Sequence, residues 1–304
     1  MTDGDVTDAV DATDGTVPWR DLLVEAAESL EVAGIPDAPR DAARIVAEAA
    51  GVDDAELVLV LDQAASVRGV AHLHRMLRRR SAGEPLQYVV GHWPFRHLDL
   101  MVDRRVLIPR PETEQVAEVA LRELDRAGGR ERATTVVDLG TGSGAIALAI
   151  ATERVRTTVW ATDFSAEALE VARANLAGIG RSGSRVRIEQ GEWFAALPDE
   201  LRGVVDLVVS NPPYVAVDAE LPADVADWEP ASALFAGPDG MDDLRRIVAD
   251  APGWLAPDGA LVCELSPEQG PAAVALAAAH FDEVELAPDL TGRDRALVAR
   301  RPRP

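Results

Sequence analysis

The sequence predicts an α/β protein, in which a doubly wound, mainly parallel sheet of seven strands follows a small all-helical domain. From Thr134 onward, short apolar runs alternate with helical runs, the pattern of a parallel sheet covered by helices. Before Gly83, apolar residues instead recur at the three- and four-residue spacing of amphipathic helices. We therefore expect a helical domain over residues 18–83, a hairpin or linker over 84–108 and the sheet domain over 109–304.

The strands of the sheet domain are predicted from short apolar runs bounded by turn residues. They cover residues 134–138, 158–162, 185–189, 204–210, 260–265, 284–287 and 296–300. Helices fit between the first six strands, most clearly at 145–152, 166–177, 241–251 and 269–279. Because only a short loop joins the last two strands, we expect them to be antiparallel neighbours.

The N-terminal part divides into a polar tail and four helices. Residues 1–17 are rich in Asp, Thr and Gly, and they predict a disordered tail without the features of a secretory signal. Helices are expected near 18–33, 40–50, 54–61 and 66–80. Residues 86–107 alternate apolar and polar side chains, which predicts a β-hairpin or an extended connector. Pro111, in the segment LIPRPETE, then starts a helix that reaches about Arg126.

Composition and charge exclude several classes of protein. Hydrophobic residues make up 47% of the 304 residues, which is enough for a sizeable core. The net charge is −22, and all 30 basic residues are arginine, so neither direct DNA binding nor lysine chemistry is expected. No apolar run reaches the roughly 18 residues of a membrane span, so no membrane partner is expected. The single cysteine, Cys263, excludes a cysteine-cluster metal site and favours a cytoplasmic location.

A glycine-rich turn follows the first predicted strand. The segment VVDLGTGSGAIALAIA places Gly140, Gly142 and Gly144 between an apolar strand and an apolar helix. Glycines let the backbone approach a ligand, and the following helix offers free N–H groups to it. The G-x-G-x-G spacing differs from the dinucleotide pattern and resembles the first motif of S-adenosylmethionine-dependent methyltransferases. The alternative is a tight turn without a ligand.

Two further residues are candidate ligand contacts. Asp163 ends the second strand, where an acidic side chain can accept both hydroxyl groups of a ribose. The alternative for Asp163 is that it only caps the helix that begins near Ser165. Trp193 follows the third strand and could stack on an adenine ring, or it could be an ordinary core or interface tryptophan.

The tetrapeptide Asn-Pro-Pro-Tyr follows the fourth strand and carries the most specific signal. Proline holds Asn211 extended and removes N–H donors, so backbone carbonyl groups stay free to accept. The Asn211 side-chain oxygen and the Pro212 carbonyl form two acceptors, which suit the two donors of a planar –NH₂ group. The ring of Tyr214 can pack on the face of that group. The alternative is a rigid turn that merely closes the strand.

Several motifs together resemble the peptide chain release factor glutamine methyltransferase (HemK/PrmC) family. They are LIPRPETE, EPLQYVVGHWPF, DLGTGSG, NPPY and EPASALFAGPDGMDDLRRI, and the likeness covers roughly residues 18–300. Two positions depart from it: Glu192 stands where the family often has aspartate, and Glu264-Leu265-Ser266 stands where it tends to have Glu-Ile-Gly.

The resemblance implies both a cofactor site and a substrate site. It implies that S-adenosylmethionine is held by Gly140, Thr141, Gly142, Ser143, Gly144, Asp163, Trp193 and Asn211. It implies that Asn211, Pro212, Pro213 and Tyr214 hold the substrate glutamine, with Asn211, Pro212 and Tyr214 taking part in catalysis. The expected activity is methylation of the glutamine in the Gly-Gly-Gln motif of release factors, with S-adenosylhomocysteine as product and without a metal.

Three questions stay open at this point. Adenine also presents a planar –NH₂, so the enzyme could methylate a nucleic-acid base, although the net charge opposes this. It could also act on a glutamine of another translation protein. The protein could instead be a regulatory module that binds a nucleotide without catalysis, although such a module would not need two acceptors placed for an –NH₂ group. The arginines at 75, 78, 79 and 80 form either a docking edge for a partner or a solvated helix end. The helical domain is expected to recognise the protein substrate, because one glutamine side chain cannot distinguish partners.

Overall fold

A computed structural model describes residues 17–303 of the chain. The predicted tail at residues 1–17 therefore lies, apart from Val17, outside the described residues. The chain forms two compact units, one that ends at Val90 and one that begins at Gly91. No helix within residues 17–303 is long and apolar enough to cross a membrane.

The first unit consists of helices packed around one small core. The helices are α1 (Trp19–Val32), α2 (Ala38–Ala50), α3 (Leu57–Val60), α4 (Val67–Ser81) and α5 (Leu86–Val90). Apolar residues at helical spacing, such as Leu22, Leu30, Ile45 and Leu73, are buried where α1, α2 and α4 pack together. The four helices expected before residue 83 are thus present.

The fifth helix corrects the prediction for the start of the connector. Residues 86–90, read from the sequence as extended, form α5 and belong to the helical unit. Leu86, Val89 and Val90 also have the i, i+3, i+4 spacing of a helix, and the Pro85 carbonyl accepts hydrogen bonds from the Tyr88 and Val89 amides. The boundary between the units therefore follows Val90 and not residue 83.

The second unit begins with a hairpin and contains a seven-stranded sheet. The hairpin strands are β1 (His92–Phe95) and β2 (Leu98–Met101). The sheet strands are β3 (Thr134–Leu139), β4 (Thr157–Asp163), β5 (Val186–Gln190), β6 (Val205–Ser210), β7 (Leu255–Glu264), β8 (Phe281–Pro288) and β9 (Asp294–Pro302). Their order is β5-β4-β3-β6-β7-β9-β8, and β9 runs in the direction opposite to the other six strands. The mainly parallel sheet and its antiparallel last pair are confirmed.

Helices cover both faces of this sheet. They are α6 (Pro111–Arg126), α7 (Ala145–Glu153), α8 (Ala166–Gly178), α10 (Asp242–Asp250) and α11 (Gly270–Ala277), while the short α9 (Ala223–Ala226) has no buried residue. Successive strand residues point to opposite faces, so Val136 packs in the core with α6 and α7 while Val137 packs with α10 and α11. Buried apolar residues on both faces explain why these strands are continuous apolar runs.

The strand register brings the ends of four strands to one edge. Leu139 at the end of β3 pairs with Thr162 of β4 and with Ser210 of β6, and Ser210 pairs with Cys263 of β7. From β3 the chain fills β4 and β5 on one side and β6 and β7 on the other. This reversal of strand order is the topological switch point at which open α/β sheets bind ligands.

Candidate active site

A cavity of about 470 Å³ opens at this edge of the sheet, within the second unit. Its size is ordinary for a small-molecule or cofactor site. Eight of the predicted site residues line it: Gly140, Thr141, Gly142, Ser143, Asp163, Trp193, Asn211 and Pro213. Gly144, Pro212 and Tyr214 do not belong to its lining. The structure thus brings most of the predicted residues together, and their roles toward ligands stay predictions.

The glycine-rich turn has the backbone that its sequence requires. Gly140, Gly142 and Gly144 have φ values of 68°, 54° and 86°, in the left-handed region that favours glycine. At Gly144 a Cβ atom would also lie 3.1 Å from Leu148 Cδ1, whereas at Gly142 it would meet nothing within 4 Å. Gly144 therefore serves the packing of α7, and Gly142 leaves open space toward the cavity.

Asp163 connects the end of β4 to the glycine-rich turn. One carboxylate oxygen accepts from the Gly142 amide at 2.9 Å, and the other accepts from the Ser165 amide at 2.9 Å. Ser165 itself caps α8, because its hydroxyl accepts from the Ala168 amide. Burial raises the pKa of Asp163, and the backbone donors oppose that rise. A carboxylate has about four acceptor sites, so Asp163 can also accept from a ligand hydroxyl group.

Two aromatic residues stand at the cavity. Trp193 has a positive φ of 49°, which is strained for a bulky residue, and its ring lies 3.3 Å from the position of a Cβ on Gly140. Trp193 lines the cavity and also packs against the core, so neither alternative from the sequence is eliminated. Phe164, which was not predicted, lines the cavity while 57% exposed, and an exposed ring next to Asp163 offers an apolar face to a ligand.

Asp138 is a second acid that the sequence analysis missed. It lies near the end of β3, 1% exposed, and one oxygen accepts from the Thr141 hydroxyl at 2.6 Å and the Ala147 amide at 3.1 Å. These bonds fix the glycine-rich turn to the start of α7. Burial raises the pKa of Asp138 to about 7. The sequence signal that could have identified Asp138 is its position two residues before Gly140.

Asn211 lies at the end of β6 with its side chain fixed. Its Nδ2 donates to the Thr113 hydroxyl at 3.2 Å, and Thr113 also lines the cavity. Pro212 is buried, and the Tyr214 hydroxyl lies 3.5 Å from Glu264 Oε1. The Tyr214 carbonyl accepts from Gln269 Nε2 at 3.0 Å, so the turn after β6 is held on both sides.

An ion pair with a buried carboxylate joins two loops that line the cavity. Glu229, 6% exposed, forms an ion pair with Arg110 and accepts from the Ile108 amide at 3.2 Å. The motif LIPRPETE is thereby tied to the motif EPASAL, whose residues Pro230 and Ser232 line the cavity. These two motifs, far apart in sequence, build one wall.

The arginines at the end of α4 are partly used inside the helical unit. Arg79 donates to Glu84 and to the Val89 carbonyl, and Arg80 donates to Asp41. These contacts fix α5 and α2 to α4. The structure thus gives Arg79 and Arg80 a packing role, whereas Arg75 and Arg78 are exposed, and for them a docking role stays a prediction.

Comparisons with known proteins agree with this architecture. Residues 21–91 match the model of the PrmC N-terminal domain, and residues 112–226 match that of the methyltransferase small domain. The release factor glutamine methyltransferase of Cereibacter sphaeroides is 41% identical over 285 residues, which is 93% of this chain and 98% of that protein. The protein of the same name from Bifidobacterium longum is 40% identical over 291 residues, 92% and 98% of the two chains.

The fold is also found in a solved structure of low sequence identity. The catalytic domain of hMettl16, crystallised with a MAT2A 3′UTR hairpin, superposes with a TM-score of 0.50 at 15% identity, covering 76% of this chain and 80% of that one. The sheet, its switch-point cavity and the matching domain model define a Rossmann-like methyltransferase. Identity of about 40% over nearly the full length is more specific, and the chain belongs to the release factor glutamine methyltransferase family.

Proposed function

We propose that the protein transfers a methyl group from S-adenosylmethionine to the side-chain nitrogen of the glutamine in the Gly-Gly-Gln motif of a release factor. The observation that carries this proposal is Asn211, held at the switch-point cavity with its Nδ2 bound to Thr113. An amide fixed in this way presents its oxygen as an acceptor. An acceptor at this place suits a substrate –NH₂ group.

The glycine-rich side of the cavity fits the cofactor. Asp163 would accept hydroxyl groups of the ribose, and Trp193 and Phe164 would contact the adenine. Gly140, Thr141, Gly142 and Ser143 would approach the amino-acid portion, because residues without a large side chain leave space there. When bound, S-adenosylmethionine supplies an electrophilic methyl group on a positively charged sulfur. We include Gly144 as support for this turn.

The Asn-Pro-Pro-Tyr turn would hold the substrate amide. Of this turn, Asn211 and Pro213 line the cavity, and Pro212 and Tyr214 adjoin them in sequence. Asn211 Oδ1 and the Pro212 carbonyl would accept from the two N–H bonds, and the ring of Tyr214 and the side of Pro213 would limit where the amide plane can lie. Holding the nitrogen in position replaces random encounter, and such orientation contributes up to about 7–11 kcal/mol in ideal cases. The same acceptors stabilise the positive charge that grows on nitrogen as the new bond forms. The proton can then leave to water.

The helical unit would select the protein partner. The cavity and its lining belong wholly to residues beyond Val90, so they can recognise a glutamine but little of the surrounding protein. We propose that residues 18–83, together with α5, bind the release factor. A cytoplasmic location, which the single cysteine of the chain suits, is part of the proposal.

Replacement of Asn211 by alanine tests this proposal. Removing one preorganised polar group from an active site typically costs about 100-fold in turnover, and we expect at least that loss for methyl transfer to an intact release factor. The affinity for S-adenosylmethionine, measured by calorimetry, should change far less. Labelled cofactor offered with DNA and RNA in parallel reports whether a base is methylated instead. Near-normal turnover of Asn211→Ala would show that Asn211 only shapes the turn and takes no part in methyl transfer.

A further inference from the structure

Glu264 lies next to Asn211 and has no place in the proposed chemistry. Ser210 of β6 pairs with Cys263 of β7, so Asn211 and Glu264 are the next residues on two neighbouring strands. Glu264 is 1% exposed. A carboxyl group is rarely buried so completely without a task, because burial of its charge is costly.

Thr113 lies next to both Asn211 and Glu264. Asn211 Nδ2 donates to the Thr113 hydroxyl at 3.2 Å. The Thr113 side chain lowers the pKa of the Glu264 carboxyl group, as a hydroxyl turned toward a carboxylate does. Thr113 is 4% exposed and lies in the first turn of α6. A threonine hydroxyl has one proton, so when it donates to Glu264 it can only accept from Asn211.

We propose that Thr113 and Glu264 are positioning residues, which fix the Asn211 carboxamide with its oxygen toward the substrate nitrogen. This inference rests on the proposed function. The direction of each bond follows from the carboxyl group at the end of the chain: Glu264 accepts, so Thr113 donates to it, and Asn211 donates to Thr113. The acceptor face of Asn211 is then the one left for the substrate.

Orientation matters here because a carboxamide can rotate by half a turn with little change in shape. In the reversed orientation, Asn211 would present its own –NH₂ to the substrate –NH₂, and two donors would face each other. The relay defined by Asn211, Thr113 and Glu264 removes that second orientation. It thereby acts on how the substrate nitrogen is held, and so on turnover.

The surroundings of Glu264 agree with a role as acceptor. Burial and the neighbouring Glu112 raise its pKa, to about 7, while Thr113, Arg295 and the Tyr214 hydroxyl oppose the rise. Among the described residues, Glu264 Oε2 has no hydrogen-bond partner. A pKa near 7 leaves the group partly protonated at neutral pH, and its ionised, accepting form depends on these few neighbours, of which Thr113 is one.

Threonine variants test the relay. Thr113→Val removes the hydroxyl at nearly constant volume, and we expect kcat for a release factor to fall about tenfold, as for one lost hydrogen bond. The dissociation constant for S-adenosylmethionine should stay within about twofold of wild type, whereas Thr113→Ser should restore most of kcat. Thr134→Val is the matched control, since Thr134 is 3% exposed and bonds Thr157 at the opposite end of the sheet. It should leave kcat unchanged.

A double-mutant cycle separates a relay from two independent effects. Glu264→Gln alone should lower kcat severalfold, because an amide can reverse the direction of the Thr113 bond. Added to Thr113→Val, it should lower kcat no further, within about twofold, since the relay is already broken. If the losses in kcat of the two single variants multiply in the double variant, or if Thr113→Val has wild-type kcat, the inference is overturned. The proposed function still stands in that case, provided that the wild-type enzyme transfers the methyl group. A wild-type enzyme that transfers no methyl group to the glutamine would reject both.

Discussion

Asp163 is the residue whose replacement tests the cofactor assignment most clearly. Asp163→Asn keeps the size of the side chain but removes its charge and replaces one acceptor oxygen by a donor. Both oxygens already accept backbone amides at 2.9 Å, from Gly142 and Ser165, so one of these contacts becomes donor against donor. The variant should therefore be destabilised and also bind the cofactor poorly.

The expected loss of affinity follows from the value of a charge-assisted hydrogen bond. Such a bond contributes about 1.5–3 kcal/mol, and about 1.4 kcal/mol corresponds to a tenfold change in the dissociation constant. We expect the dissociation constant for S-adenosylmethionine to rise between about tenfold and about a hundredfold. Isothermal calorimetry with S-adenosylmethionine and with S-adenosylhomocysteine measures this at neutral pH.

Asp206 supplies a matched control for this variant. It is 7% exposed, against 9% for Asp163, and it also accepts a backbone amide, from Thr135 at 2.7 Å. Its position at the amino end of β6 is at the opposite edge of the sheet from the cavity. Asp206→Asn should lower stability without changing affinity. Unchanged affinity in Asp163→Asn, or equal weakening in both variants, would refute the ribose assignment.

Three further predictions concern stability and division of labour. The pKa of Asp138 is raised to about 7 in the folded protein, so ionisation of this group opposes folding. The free energy of unfolding of the wild type should therefore rise relative to that of Asp138→Asn as the pH falls from about 8 to about 5. A difference between the two proteins that stays constant with pH in urea unfolding would contradict this. Gly144→Ala should lower the free energy of unfolding more than Gly142→Ala, since only the Cβ at position 144 would press against Leu148. Equal losses in urea unfolding would show that the positive φ of both residues determines the effect and the contact does not. A chain that begins at Gly91 should bind S-adenosylmethionine and methylate a short Gly-Gly-Gln peptide as the full chain does. It should methylate an intact release factor far more slowly than the full chain. An equal rate on the intact factor would show that the helices do not recognise it.

The sheet and the cavity were predictable because their signals are local. Each buried parallel strand is a continuous apolar run, and each turn residue is a neighbour in sequence of the strand that positions it. Gly140, Asp163 and Asn211 could therefore be placed at one edge before their distances were known. The same reasoning failed at Leu86–Val90, where a five-residue run fits both a strand and a helical turn, and burial among the other helices decided.

The support behind the site could not be read from the sequence. Thr113, Glu229 and Glu264 act through partners that lie far away along the chain, and their contacts depend on which strands and loops become neighbours. The pairing of β6 with β7 is a property of the sheet order and has no local pattern. The different roles of the three glycines could not be read from the sequence either. Gly140 and Gly142 line the cavity, whereas Gly144 packs against Leu148 of α7.

The most direct test of the central claim is to locate the transferred methyl group. The full-length protein is incubated with S-adenosylmethionine and an intact release factor, and peptides from the factor are sequenced by mass spectrometry. We predict a single added methyl group on the side chain of the glutamine in the Gly-Gly-Gln motif, absent when that glutamine is replaced and strongly reduced with Asn211→Ala. A methyl group on another residue, or transfer that persists without that glutamine, would contradict the proposed function.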